Sequence, residues 1–123
     1  MNPRRVHELM LQHFPKYDAS TLEWSNLLGR DGVRVEALMN QLESLFGNAP
    51  IVIEVHRRLG TVLQAGEAAT YVAAHIGEGD IRIADREFTT FCVVARNGVS
   101  ACWAVSANRS IQAGPAQTPA ADL

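Results

Sequence analysis

Glu54 and His56, followed at once by Arg57 and Arg58, form the densest polar cluster in the chain. On a strand, Glu54 and His56 share a face, and a carboxylate beside an imidazole could work as an acid/base pair. On a helix, Glu54 and Arg58 fall at i and i+4 instead, an ion pair worth roughly 0.2–0.5 kcal/mol. The plainer reading of the cluster is a solvated face. Cys92 joins Glu54 and His56 as the third residue to test if a pocket lies between a sheet and its helices. A catalytic thiol wants a cationic neighbour and exposure. The sequence neighbours of Cys92 and Cys102 supply neither, so both are expected to be structural.

A second charged set alternates in sign: Asp80, Arg82, Asp85, Arg86 and Glu87. It suits a recognition edge or, more simply, charges that protect an edge strand from pairing. Arg96 stands just before Asn97-Gly98. The binding residues singled out are therefore Glu54, His56, Arg57, Arg58, Arg82, Arg86 and Arg96; none is assigned as catalytic. The four histidines, His7, His13, His56 and His75, make no HxH, HxxxH or HExxH arrangement. With only two cysteines besides, no metal site is expected. Gly77-Glu78-Gly79 opens a strand and so lacks the helix N-terminus that holds phosphate. No GxSxG motif occurs, and no cofactor is expected.

The elements that must position these residues are read from periodicity. Asn2-Pro3 opens a helix whose stripe is Val6, Leu9, Met10, His13 and Phe14, ended by Pro15. Ser20-Thr21-Leu22-Glu23 matches a capping box and predicts a short helix to about Leu28. Val33 to Phe46 is the clearest helix, with Val35, Leu38, Met39, Leu42, Leu45 and Phe46 in one stripe. Ile51 to Leu63 reads two ways. Its length and i, i+4 spacing favour a helix, while its β-branched IVIEV favours a strand pair. Glu67 to Ile76 predicts a further short helix.

Three strands follow, over Asp80–Ala84, Phe88–Arg96 and Val99–Val105, with the first as the edge. Asn97-Gly98 suits a two-residue type I′ turn. In that register Arg96 pairs with Val99, Val93 with Cys102 and Cys92 with Trp103. Cys92, Val94, Val99, Ala101 and Trp103 then share the face expected to meet the helices. Phe91, Val93, Ser100 and Cys102 lie on the other, covered by another segment or a partner subunit. The two cysteines point apart and are not expected to bridge. Free cysteines of this kind suit a reducing cytosol.

The expected fold class is α+β: N-terminal helices, then a helix and a three-stranded antiparallel sheet that grows to five strands if Ile51–Leu63 is a hairpin. One domain over residues 1–107 and a disordered tail over residues 108–123 are expected. The 123 residues carry 47% hydrophobic side chains and a net charge of −2, so a real core is affordable and a broadly basic footprint for nucleic acid is absent. Ten of the eleven basic residues are arginine, best read as genomic base composition. No secretory signal or bilayer-length apolar run is visible, and a cytoplasmic location is expected.

Three functions fit. The first is a non-catalytic protein-binding module, a small bacterial adapter, inhibitor or immunity-type factor, acting on a protein partner or by self-association through a sheet or helix surface. The second is a winged-helix-like DNA-binding regulator, with Arg96-Asn97-Gly98 as wing tip and Arg57, Arg58 and Arg96 on phosphates. The third is a small enzyme or small-molecule binder with its pocket between sheet and helices. The first is preferred.

Overall fold

The computed structural model describes residues 2–104. In chain order these form α1 (Pro3–His13), a single 3-10 turn (Ala19–Thr21), β1 (Ser25–Asn26), β2 (Leu28–Gly29), β3 (Gly32–Val33) and α2 (Val35–Phe46). Then come β4 (Ile51–His56), β5 (Leu59–Leu63), α3 (Ala65–His75), β6 (Ile81–Asp85), β7 (Thr90–Val94) and β8 (Val99–Ala104). The fold is α+β. Its main sheet has six antiparallel strands in the order β1-β8-β7-β6-β4-β5, and β2 and β3 form a separate two-stranded sheet. The expected sheet of three or five strands is thus too small. Among the described residues no helix is long and apolar enough to cross a membrane. The expected tail, residues 108–123, lies outside the described residues.

α1 starts as its sequence dictates: the Asn2 side chain accepts from the Arg5 amide at 2.8 Å, with Pro3 in the first turn. The capping box at Ser20 does not open a helix. Asp18 caps instead, accepting from the Ser20 amide at 3.0 Å and the Ser20 hydroxyl at 2.7 Å. After one 3-10 turn the chain extends, because Ser25 and Asn26 are taken as an edge strand by Ser100 and Val99.

Ile51–Leu63 is the hairpin β4–β5. Ile51 to Val55 is buried at every position, since both faces of the strand are covered. A strand buried on both sides is apolar throughout and so also satisfies helical spacing. With β4 on its far side, β6 is an interior strand, not the edge.

The β7–β8 turn is one residue longer than Asn97-Gly98 implies. Ala95 and Val99 flank a three-residue loop: the Ala95 amide donates to the Val99 carbonyl at 2.8 Å and the Gly98 amide to the Ala95 carbonyl at 2.9 Å. Gly98, at φ +86°, takes the left-handed position that closes such a loop. One residue of shift reverses the parity of β8. Trp103 now pairs with Phe91 and Cys102 with Cys92. The cysteines therefore face each other, with Cα atoms 4.1 Å apart, and form a disulfide. The expectation of free, opposed cysteines is corrected, and with it their support for a reducing compartment.

Helices cover both faces. α2 and α3 pack on Ile51, Ile53, Val55, Ile81, Ile83, Cys92 and Val94. α1 packs through Val6 and Met10 on Val52, Ala84 and Phe91, with Trp103 beside them. Trp103 thus lies on the α1 side, not against α2 and α3. Gly60 lets α1 approach: a Cβ there would sit 2.8 Å from Val6 Cγ1 and 2.9 Å from the Ile53 carbonyl oxygen.

Candidate functional site: a groove beside a buried ion network

β4 and β6 pair in the register that sets Glu54 directly opposite Arg82. Both point to the α1 face, in the row that continues to Val93. Glu54 is 3% exposed, and a buried carboxylate requires partners. Arg82 Nη2 donates to Glu54 Oε1, and His7 Nδ1 on α1 donates to Glu54 Oε2. Val6 is seated over Gly60, so the next residue along the helix lands over Glu54. Glu54 therefore does gain an imidazole, but from His7 and not from His56. A bulge between Glu54 and His56 breaks the alternation, and His56 is exposed. Its Nδ1 accepts from the Arg58 amide at 3.2 Å.

Arg82 links this network to a groove. Its guanidinium carbon lies 5.7 Å from the centroid of the Phe14 ring, a cation–π contact. Around it, Met10, Leu11, Phe14, Pro15, Lys16 and Tyr17 line a groove of about 500 Å³. The floor continues as an aromatic cluster: Phe14 lies 5.2 Å from Phe91 and 6.0 Å from Trp103, and Tyr17 lies 5.5 Å from Trp103. Leu11 on the rim is 66% exposed. Partial burial raises the Tyr17 phenol above its ordinary pKa; the Asp80 carboxylate adds to the rise and Arg82 opposes it.

Of the sequence-derived residues, Glu54 and Arg82 come together here. Arg57 and Arg58 sit at the exposed β4–β5 tip, and Arg96 at the exposed β7–β8 turn. Both turns are at one end of the sheet, three strand spacings or about 14 Å apart. Arg86 is at the opposite end, in the exposed β6–β7 turn. There Asp85 is occupied locally, accepting from the Thr89 amide at 2.7 Å, the Thr89 hydroxyl at 2.6 Å and the Thr90 amide at 3.2 Å. Cys92 lies on the α2–α3 face, away from Glu54, so the suggested set of Glu54, His56 and Cys92 does not assemble.

His7, Leu11, Phe14, Lys16 and Tyr17 were not picked out as site residues by sequence reasoning. The available signal was the run Phe14-Pro15-Lys16-Tyr17, two aromatics and a cation at a helix end. Chemically, Glu54 has both oxygens engaged by its own chain, which suits a fixed anion better than a base for an outside proton. The groove offers an apolar wall and two cations. Comparison of the chain with protein-family models, with curated proteins and with solved structures found no match.

Proposed function

We propose that this chain is a non-catalytic protein-binding module whose recognition surface is the groove between α1 and Arg82. One observation carries the reading. Among the described residues the charged ones lining the groove, Lys16 and Arg82, are both cationic, and they stand among apolar and aromatic side chains, Leu11 and Tyr17 being exposed. The partner that fits is an apolar peptide segment bearing a carboxylate. Arg82 is pre-positioned by Glu54, so little side-chain freedom is lost when it meets a ligand. A cytoplasmic location stays part of the proposal but draws nothing from the cysteines, because a bridged pair suits an oxidising compartment better. The nucleic-acid alternative has weaker support, since Arg57, Arg58 and Arg96 lie at one end of the sheet and Arg86 at the other, so these four, all among the described residues, make no continuous basic stripe.

The test is a display selection of random peptides against the full chain, followed by anisotropy titration of the peptides recovered. Acidic, apolar peptides should emerge. Leu11→Glu and Lys16→Glu, both at exposed positions, should each weaken them by about tenfold or more, near 1.4 kcal/mol. A selection that yields no peptide, or peptides indifferent to both substitutions, rejects the groove as the surface.

A further inference from the structure

The main sheet ends differently at its two edges. β1 is two residues long, and a very short edge strand is a common protection against pairing with another chain. β5 at the other edge spans five residues, Leu59 to Leu63, without a charge or a proline. Among the described residues its only neighbour in the sheet is β4, and Leu59, Val62 and Leu63 remain partly exposed.

We propose that β5 pairs antiparallel with β5 of a second copy, about a twofold axis midway between the two Thr61 residues. A twofold perpendicular to the sheet keeps each side chain on its own face, so the central residue must pair with its own copy across the axis. Thr61 is the middle of the strand, and this register pairs all five of its residues. Leu59 faces the partner's Leu63, Gly60 the partner's Val62, and the two Thr61 side chains meet on the axis.

Charge complementarity supports a second copy as the occupant. Just beyond the strand ends, this register brings Arg57 and Arg58 toward the partner's Gln64 and Glu67, and symmetry repeats the contact. Arg57, Arg58 and Glu67 are all exposed, and among the described residues none of them forms an ion pair within its own chain. Glu67 stands in the first turn of α3. The basic hairpin tip and the acidic helix start thus lie on opposite sides of Thr61, as a self-complementary edge needs. This edge is separate from the groove, and the proposal does not rest on the peptide reading.

Light scattering on the full chain should give twice its 13.4 kDa mass. Thr61→Lys and Thr61→Glu each place like charges on the axis and should each halve that mass with the circular dichroism spectrum kept. Mixing the two should restore a mixed dimer. Glu67→Arg, at an exposed helical position, should weaken the wild-type dimer about tenfold. A wild-type monomer overturns the proposal, as does a dimer that all three substitutions leave intact.

Discussion

Glu54 on β4 and Arg82 on β6 are direct cross-strand partners, and Arg82 reaches from the buried carboxylate to the Phe14 ring of α1. One side chain therefore joins the interior of the sheet to the wall of the groove. Its own exposure is 29%, so it is held from below and still open from above. A flexible surface arginine would lose more conformational freedom on meeting a carboxylate.

Arg82→Met removes that anchor and leaves Glu54 with His7 alone. The expected loss is about 2–3 kcal/mol, toward the low side for breaking a buried pair because Arg82 is partly solvated. Adding Glu54→Leu should recover most of it, since no buried charge then remains. Urea unfolding of the two singles and the double gives the cycle. A cost below about 0.5 kcal/mol for Arg82→Met would show that the pair is not desolvated.

Gly60→Ala should destabilise by about 1–3 kcal/mol through overpacking against Val6. Val6→Ala in the same chain should return part of that loss, because the clash is with its Cγ1. The contact with the Ile53 carbonyl remains, so recovery should be incomplete. If the two costs simply add, α1 does not rest on Gly60.

Cys92 and Cys102 should resist alkylation in the denatured, unreduced chain and take two labels after reduction. Replacing both by serine should cost about 2–3 kcal/mol on the chain-entropy account, given the ten-residue separation. Intact mass spectrometry decides the first point and thermal melting the second. Two labels without reductant would mean the chain is isolated as a dithiol.

Tyr17 gives an alkaline stability limit. Its phenol is raised in the folded chain, while the unfolded chain keeps the ordinary value of 10.0. Above that value the unfolded chain has lost a proton that the folded chain still holds. Stability is therefore full below about pH 10 and falls as pH rises through the native pKa. Tyr17→Phe should flatten this slope but not abolish it, because burial and the Glu78 carboxylate raise Tyr71 as well. Ultraviolet titration of phenolate in wild type and Tyr17→Phe checks the order; a Tyr17 phenol that ionises at or below the ordinary value sinks the reading.

Local signals led to correct structure where one principle governed. Asn2-Pro3 opened α1, and the leucine stripe of Val35–Phe46 formed α2. The failures lie where tertiary pairing outweighed a local pattern. Asp18 was available two residues before Ser20 and took the cap. Burial on both faces of β4 spread apolar residues through Ile51–Leu63 and so gave the segment helical spacing, against the strand signal of its β-branched IVIEV. In the last hairpin, Gly98 closes a three-residue loop where Asn97-Gly98 would also close a two-residue one, and no local feature distinguishes them. That single choice decides which face Trp103 and Cys102 occupy. Glu54 was legible as a candidate from its polar cluster with His56, Arg57 and Arg58, and Arg82 from the sign-alternating set around Asp80–Glu87, but their pairing was not, since it depends on the register of β4 and β6. His7 was not, since its partner lies 47 residues away and only the packing of α1 sets them together.

Among the described residues α1 rests on Glu54, Gly60, Arg82, Phe91 and Trp103, drawn from β4 through β8. The β4–β5, β6–β7 and β7–β8 pairs are by contrast local hairpins. The seat of α1 is built by both halves of the sheet, so its contacts are long-range ones, such as the 47 residues between His7 and Glu54. With α1 undocked, Phe14 and Tyr17 would have no Trp103 to stack on, and the apolar stripe of α1 would face water. The groove therefore exists only while α1 is docked, so a ligand bound there holds the two ends of the described chain together and should stabilise the α1 contact above all others.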